Sequence, residues 1–363
     1  MKVCFFGSSL VSSYWNGAAT YYRGLLKALA ALGYEIIFYE PDAFSRQQHR
    51  DIPDPAWAEV VVYPATEEGW QRALESAARK ADLLVKASGV GVFDRELELA
   101  VLSAARPRTI VAFWDVDAPA TLDGIGRDAA HPMRNLIPRY DVIFTYGGGP
   151  PVVHAYQGLG ARACVPIYNA LDPETHHPVP RDETFACDLG FLGNRLPDRE
   201  ARVEEFFLHP AQRLPERRFL LGGAGWETRT LPGNVKSAGH VGTGQHNAFF
   251  CSGVATLNIN RESMARYGFS PPTRIFEAAG AAACIISDAW VGLETFFEPG
   301  KELLIAERGE AVVDILGGLK TEQARSIGRA AHARAIAQHT YAHRAKQVTS
   351  VLQQKFSSRE AAA

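Results

Sequence analysis

The chain has 363 residues, of which 47% are hydrophobic and 21% are charged. This composition is typical of globular proteins, and the length predicts about two domains. The formal net charge of −2 does not favour nucleic acid as a partner, although a local basic patch is compatible with it. No apolar run approaches the roughly 20 residues that a membrane-spanning helix requires.

The five cysteines all lie in apolar stretches, at Cys4, Cys164, Cys187, Cys251 and Cys284. None forms a C-x-x-C pair and the count is odd, which favours core thiols in a reducing cytosol. Residues 1–7 are too short for a signal peptide and predict a first buried strand. We therefore expect a cytoplasmic protein without a bound metal ion.

Strands and helices alternate through the first half of the chain. Short apolar stretches predict buried strands at residues 2–7, 34–39, 82–86, 109–113 and 141–145. Residues 17–32 follow a helical pattern, and Gly33 is well suited to end that helix. This alternation is typical of a parallel, doubly wound sheet with helices on both faces.

A polar segment at residues 168–183 interrupts the pattern and contains three prolines. We interpret it as a linker in which His176 and His177 are solvent-exposed. The alternation restarts at residue 185. The sequence thus predicts two α/β domains with Rossmann-like parallel sheets, at residues 1–170 and 184–339, that bind ligands beyond the carboxyl ends of their strands.

The tail predicts a final helix at residues 340–356. Thr340 is a plausible N-cap, and apolar residues recur after it at helical spacing, at Tyr341, Ala345, Val348 and Leu352.

Residues 273–288 form the most informative segment, with the sequence Thr-Arg-Ile-Phe-Glu-Ala-Ala-Gly-Ala-Ala-Ala-Cys-Ile-Ile-Ser-Asp. It predicts a short helix packed tightly against a buried strand, because the small residues around Gly280 allow close approach. Arg274 and Glu277 are the two charges of this apolar unit. A guanidinium can bind a diphosphate and a carboxylate can accept from a ribose diol, so the segment predicts a nucleotide-sugar site.

This segment resembles the donor-site signature of GT-B glycosyltransferases, in which a Glu before a small-residue helix holds the nucleotide ribose. Residues 292–302 are similar to the CgeB-type (spore maturation) glycosyltransferases. Other matching stretches are residues 16–23, 113–119, 191–194 and 339–344. The resemblance implies two Rossmann-like domains that face each other across a cleft, with the donor on the second domain. It also implies that the last helix packs back on the first domain, which binds the acceptor.

The loop after the strand at residues 185–192 contains Gly193, Asn194, Arg195 and Arg199. Such a junction presents free backbone N–H groups and the positive end of a helix dipole to an anion. The resemblance assigns these residues to the donor diphosphate, together with Arg274. An ordinary tight turn with surface arginines is the alternative interpretation.

Two further positions of the second domain are assigned to the donor. At the glycine-rich junction of residues 239–244, the resemblance implies nucleobase contacts by His240 and Val241, with an ordinary loop as the alternative. Asn260 follows a predicted strand. Many retaining enzymes have an acidic residue eight positions before the ribose Glu, but this chain has Phe269 there, which leaves the stereochemistry open.

In the first domain, Asp115-Val116-Asp117 follows an apolar strand. The resemblance places both carboxylates at the cleft, where Asp117, or alternatively Asp115, serves as the general base for an acceptor. A turn or helix N-cap is the alternative, and the string also matches the D-x-D metal signature of another glycosyltransferase fold. The polar loops at the same edge are assigned to the acceptor, through Ser8, Ser9, Asn16, Gly17 and Gly148.

The sequence therefore predicts a metal-independent glycosyltransferase without a cofactor. Its donor is a nucleoside-diphosphate sugar, UDP- or dTDP-linked, and its acceptor is a hydroxyl or amine of a small molecule, glycan or protein. Two alternatives stay open: a nucleotide-sugar epimerase on the same fold, and a non-catalytic nucleotide-sugar or glycan-binding protein.

Overall fold

The computed structural model describes residues 1–360. The chain divides into two compact units. Residues Met1–Tyr168 and the last helix form the first unit, and residues Asn169–Thr340 form the second. Among the described residues, no helix is both long and apolar enough to cross a membrane.

The first unit contains a seven-stranded sheet with the order β3-β2-β1-β4-β5-β6-β7, and all its neighbouring strands are parallel. Its strands are β1 (Lys2–Phe6), β2 (Glu35–Asp42), β3 (Ala58–Pro64), β4 (Leu83–Ala87), β5 (Ile110–Asp115), β6 (Val142–Thr145) and β7 (Cys164–Pro166). Central strands such as β4 and β5 are buried along their whole length, as expected of a parallel sheet covered on both faces.

Helices connect these strands, as the alternating sequence pattern predicts. They are α1 (Ala19–Ala31), α2 (Glu67–Lys80), α3 (Asp94–Ala104), α4 (Ala118–Arg127), α5 (Met133–Leu136) and α6 (Gly149–Gly158), with a 3-10 turn at Ile137–Arg139. The predicted helix at residues 17–32 is confirmed as α1, which buries Tyr22, Leu25 and Leu29. Gly33 follows it with φ of +88°, a conformation that glycine adopts without strain.

The second unit contains a six-stranded parallel sheet with the order β10-β9-β8-β11-β12-β13. Its strands are β8 (Cys187–Leu192), β9 (Phe219–Gly222), β10 (Val235–Gly239), β11 (Gly253–Asn258), β12 (Ile285–Asp288) and β13 (Leu304–Ala306). The inner strands supply the core of this unit through residues such as Leu189, Phe191, Leu257 and Ile286.

The helices of the second unit are α7 (Pro197–Val203), α8 (His209–Arg213), α9 (Thr243–Ser252), α10 (Glu262–Tyr267), α11 (Thr273–Gly280), α12 (Gly309–Gly318) and α13 (Thr321–Gln338). A π-helical turn at Glu204–Leu208 joins α7 to α8, and 3-10 turns occupy Glu183–Phe185 and Leu293–Thr295.

The last helix, α14 (Tyr341–Glu360), packs on α1 of the first unit. A Cβ atom at Gly24 of α1 would lie 2.2 Å from Cδ2 of Tyr341, so the glycine makes room for this ring. The Tyr34 hydroxyl also donates a hydrogen bond of 3.0 Å to Thr349. The contact between Tyr341 and Gly24 and the hydrogen bond between Tyr34 and Thr349 thus position α14 on α1.

Candidate functional site

The carboxyl edge of the second sheet brings together three predicted donor-site segments. Strand β8 ends at Leu192, β11 ends at Asn258 and β12 ends at Asp288. Helix α11, which carries Arg274 and Glu277, begins close to the same edge. A hydrogen bond from Arg274 Nε to the carbonyl of Leu192 at the end of β8 shows this proximity. This edge is where ligands bind in open α/β sheets.

Two guanidinium groups meet over Gly193 and Phe191. The guanidinium carbons of Arg199 and Arg274 lie 5.6 Å and 5.1 Å from the Phe191 ring centroid. A Cβ atom at Gly193 would lie 2.7 Å from Nη2 of Arg274 and 3.0 Å from Nη2 of Arg199. Any larger residue at position 193 would therefore push the two guanidinium groups away from the backbone.

Arg199 is only 7% exposed, which rules out the alternative that it is a surface arginine. Neither Arg199 nor Arg274 pairs with a carboxylate of the described residues. Arg199 donates to the Asn194 carbonyl, but its buried Nε has no hydrogen-bond partner within residues 1–360.

The electrostatics of these two arginines favour an anion. Burial, reinforced by the charges of Arg274 and Arg261, lowers the pKa of Arg199 to about 9, and burial also lowers the pKa of Arg274. Guanidinium groups remain protonated at neutral pH, so two positive charges lie close together where their solvation is reduced. A bound diphosphate would relieve this repulsion.

Two backbone N–H groups of this loop, those of Gly193 and Arg195, are not free, contrary to the expectation from the sequence. Gly193 N–H donates to the Gly222 carbonyl at 2.8 Å, and Arg195 N–H donates to the Ala224 carbonyl at 2.9 Å. The reason is a second glycine loop after β9, which the sequence analysis missed. Gly223 adopts φ of +124°, and a Cβ there would lie 2.3 Å from the Gly193 carbonyl oxygen.

The side chains of Arg195 and Asn194 already form hydrogen bonds within the protein. Arg195 pairs with Glu200 at 2.5 Å and donates to Thr228 at 3.3 Å. The Asn194 side chain accepts a hydrogen bond of 3.0 Å from Ala224 N–H. The anion-binding potential of the loop therefore lies in Arg199 and Arg274 rather than in Arg195.

Glu277 lies one helical turn after Arg274 and is 8% exposed. Its carboxylate accepts no hydrogen bond from any residue between 1 and 360 and adjoins two imidazoles. The ligand atoms of Glu277, His176 and His246 all lie within 4.8 Å of one another. A carboxylate in this position is available to a polar group of a ligand.

The expectation that His176 is solvent-exposed is wrong, because this side chain is 2% exposed. Asn247 of α9 binds the backbone on both sides of His176. Its side chain donates to the Thr175 carbonyl at 3.0 Å and accepts from His177 N–H at 3.2 Å. The same segment packs against α11, where a Cβ at Gly280 would lie 2.8 Å from the His176 carbonyl oxygen. The small residues of α11 thus admit this polar segment, and His177 alone of the pair is exposed.

The other predicted donor residues occupy different surroundings. Asn260 uses its side chain to donate to the Ser270 carbonyl at 2.9 Å and to accept from Arg261 N–H at 3.0 Å. It thereby fixes the loop that contains Phe269, whose φ is +46°. Val241 is buried and His240 is exposed, just before α9.

Comparisons with known proteins identify this architecture. The model of a family described as glycosyl transferase-like matches residues 199–350. Sucrose-phosphate synthase from Thermosynechococcus elongatus superimposes with a TM-score of 0.72 at 13% identity, covering 99% of this chain and 100% of that chain. HepE from Anabaena, solved with UDP and glucose, has a TM-score of 0.67 at 15% identity, with 98% and 100% coverage. The chain has the GT-B fold.

Two further findings complete the comparison. An α-glucosyltransferase solved with UDP and a 13-mer DNA containing a HMU base gives a TM-score of 0.70 at 11% identity, covering 97% of this chain and 99% of that chain. No curated protein matches the sequence. The family match includes Arg199, Arg274 and Glu277, so these two arginines and this carboxylate lie in the glycosyl transferase-like part of the chain.

In the first unit, Asp115 is completely buried at the end of β5. It accepts hydrogen bonds from Ser88 at 2.8 Å, from Tyr156 at 2.5 Å and from Thr121 at 3.1 Å. Burial raises its pKa, and the Tyr156 hydrogen bond opposes this change. These bonds to its own unit favour a structural role for Asp115.

Asp117 stands immediately before α4, half-buried, and its side chain makes no capping bond to the helix. The strand has already ended at Asp115, and Asp117 adopts φ of −148° and ψ of 57°. The two carboxylates therefore do not belong to one extended segment. Of the two, Asp117 is the more accessible candidate for the general base.

The predicted acceptor residues after β1 form a buried network of their own. Ser8 donates to Asn16 Oδ1 at 2.8 Å, and Asn16 Nδ2 donates to the Ser9 carbonyl at 2.9 Å. Ser9 donates to Glu40 at 2.9 Å. Gly17 is exposed, whereas Gly148 has φ of +88° and precedes α6.

The sequence analysis missed Arg46, which lies next to this network. It is 7% exposed and donates to the Ser8 carbonyl at 3.1 Å. Its buried Nε has no hydrogen-bond partner within the described part of the chain. Phe44 and Ser45 before it both have φ near +57°, a costly conformation for these residues that often marks functional sites.

Proposed function

We propose that this chain is a glycosyltransferase that moves a sugar from a nucleoside-diphosphate sugar to an acceptor hydroxyl or amine. The observation that carries the proposal is the pair of guanidinium groups of buried Arg199 and half-buried Arg274, neither bound to a carboxylate of the described residues, beside the free carboxylate of Glu277. This arrangement combines a diphosphate-binding cation pair with an acceptor for a ribose diol, which follows Arg274 by about one helical turn of α11.

In the proposed reaction, Glu277 binds the ribose hydroxyls, and Arg274 and Arg199 bind the diphosphate. As the bond between the sugar and the diphosphate breaks, negative charge accumulates on the leaving diphosphate. Guanidinium groups already fixed at this place stabilise that charge without reorganisation. Asp117 of the first unit accepts the proton of the attacking acceptor group.

The donor is proposed to be UDP-linked or dTDP-linked. Support for UDP comes from similar structures, which include HepE in complex with UDP-glucose and an E. coli protein bound with UDP-2-fluoro glucose. The acceptor is proposed to be a small molecule, glycan or protein rather than nucleic acid, because the net charge is −2. The segments 292–302 and 339–344 support a CgeB-type relationship, and five free thiols support a cytoplasmic location.

Calorimetry tests the donor site directly. The wild-type chain is titrated with UDP, dTDP and their glucose derivatives in buffer with EDTA, and the expected result is saturable binding of at least one of them. A nucleotide at about 100 times its Kd should also stabilise the folded chain by about 2.7 kcal/mol. An Arg213→Gln variant is the control, because Arg213 forms an exposed ion pair with Glu310. No binding of any nucleotide would contradict the proposal.

Turnover distinguishes transfer from the alternatives. We expect the donor to be consumed only in the presence of an acceptor and in the presence of EDTA. Isomerisation of the donor sugar without an acceptor would instead indicate an epimerase, whereas binding without turnover across an acceptor panel would indicate a binding protein.

A further inference from the structure

The cluster of His176, His246 and Glu277 has the geometry of a metal site. Nε2 of His176 and Nδ1 of His246 are 3.4 Å apart, which is longer than the roughly 2.7–3.2 Å typical of a good N–H hydrogen bond. Two imidazole nitrogens bound about 2.05 Å from a tetrahedral ion lie about 3.4 Å apart. Ligands at right angles around an octahedral ion would lie only about 3.0 Å apart. The separation therefore fits tetrahedral coordination.

The third group completes a common ligand set. The Glu277 carboxylate lies within 4.8 Å of both imidazole nitrogens, close enough for a rotamer adjustment to bring it to a shared ion. Two imidazoles and one carboxylate are a known protein ligand set for zinc, which leaves a fourth position for water.

The surroundings of the cluster allow an ion to enter. His246 is partly exposed, while His176 and Glu277 are buried, so one edge of the cluster is open to solvent.

We propose that His176, His246 and Glu277 bind a zinc-class divalent ion, and that this ion and the donor nucleotide exclude each other because both use Glu277. The ion would then inhibit the enzyme rather than assist transfer. The sequence analysis did not anticipate this site, since it expected no bound metal ion and placed His176 in solvent. Ion binding stands on the geometry alone, whereas the competition rests on the proposed function.

Zinc titration of the full chain tests ion binding. The protein is stripped with EDTA, dialysed and titrated with Zn²⁺ in a calorimeter, and Co²⁺ is used as a spectroscopic probe of coordination geometry. We expect one ion per chain, with intense visible absorption bands from tetrahedral Co²⁺. His246→Gln and Glu277→Gln should weaken zinc binding by at least the roughly 10–100-fold that loss of an outer-shell partner of a metal ligand typically costs.

His177→Gln is the matched control, because His177 is the exposed neighbour of His176 and lies outside the cluster. It should bind zinc like the wild type. His246 is only partly buried, so His246→Gln should keep the thermal midpoint of the wild type, which separates loss of a ligand from loss of folding. Absence of saturable zinc binding, or equal binding in wild type and His246→Gln, would overturn the proposal.

Competition is measured with UDP as the probe, at fixed zinc concentrations. UDP binds zinc in solution, and this effect is identical for wild type and His246→Gln. The expected result is a larger zinc-dependent loss of UDP affinity in the wild type than in His246→Gln. If metal-free protein binds UDP but not zinc, only this inference fails; if it binds zinc but not UDP, the proposed function fails and the ion site stands.

Discussion

At the scale of single residues, Glu277 is the most direct test of the donor site. Its carboxylate is buried without a hydrogen-bond donor among the described residues, which leaves it available to a ribose diol. Glu277→Gln keeps the shape but removes the charge that strengthens these hydrogen bonds, worth about 1.5–3 kcal/mol. We expect UDP affinity in EDTA buffer to fall by about tenfold or more.

The control for this prediction is Glu310→Gln, since Glu310 forms exposed ion pairs with His209 and Arg213. Its UDP affinity should match that of the wild type. Unchanged UDP affinity in Glu277→Gln would remove Glu277 from the ribose site.

Arg274 and Arg195 differ in their surroundings, although the sequence assigned both to the diphosphate. Arg274 has no carboxylate partner, whereas Arg195 is paired with Glu200. Loss of a fixed cation that stabilises developing charge typically lowers kcat by about 10²–10³. Arg274→Gln should show such a loss, and Arg195→Gln should lose less than about tenfold. Equal losses of kcat in the two variants would show that Arg195 leaves Glu200 to join the site.

At the scale of elements, the contact between α1 and α14 depends on Gly24. A Cβ at this position would lie 2.2 Å from the ring of Tyr341, which is 3% exposed and has little room to move. Overpacking of this kind typically costs about 1–3 kcal/mol. Gly24→Ala should therefore lower the thermal unfolding midpoint of the chain.

Gly317→Ala is the matched control, because a Cβ at Gly317 of α12 meets nothing within 4 Å. Alanine is favoured over glycine in a helix by about 0.5–1 kcal/mol, so this variant should be as stable as the wild type or more so. A thermal midpoint for Gly24→Ala equal to that of Gly317→Ala would show that α14 does not pack on α1 in the described way.

Strands buried on both faces could be predicted from the sequence, whereas a partly exposed edge strand could not. β4 and β5 are continuous apolar stretches because every residue in them is buried. By contrast, β3 was missed because it is an edge strand with mixed exposure. An edge strand needs no continuous apolar sequence, so its pattern resembles that of a loop.

At the candidate site, the sequence predicted the residues of one helix but not the contacts between distant segments. Arg274 and Glu277 could be predicted because they are charges within one apolar helix. The burial of His176 depends on Asn247, which is 71 residues away along the chain and binds the backbone of the residues on either side of His176. The occupied N–H groups of Gly193 and Arg195 depend on a glycine loop that begins 30 residues later. Contacts over such distances leave no periodic signal in the chain.

At the scale of the whole molecule, the proposed reaction assigns donor binding to the second unit and removal of the acceptor proton to the first. The donor groups Arg199, Arg274 and Glu277 all belong to the second unit, and Asp117 belongs to the first. Variants of the two units should therefore differ in which step they impair. Substitutions at the donor groups should weaken nucleotide binding, whereas a substitution at the base should impair transfer while the nucleotide still binds.

Asp117→Asn tests this division. An amide cannot accept the proton of the attacking hydroxyl, and loss of a general base typically lowers the rate by about 10²–10⁴. We expect that loss in kcat for transfer, with UDP affinity by calorimetry unchanged. Asp123→Asn, in the following helix α4, is the control and should transfer normally. Normal transfer by a folded Asp117→Asn would mean that Asp117 only starts α4. Since Asp115 is enclosed by Ser88, Thr121 and Tyr156, the base would then have to be a donor phosphate oxygen rather than the neighbouring carboxylate.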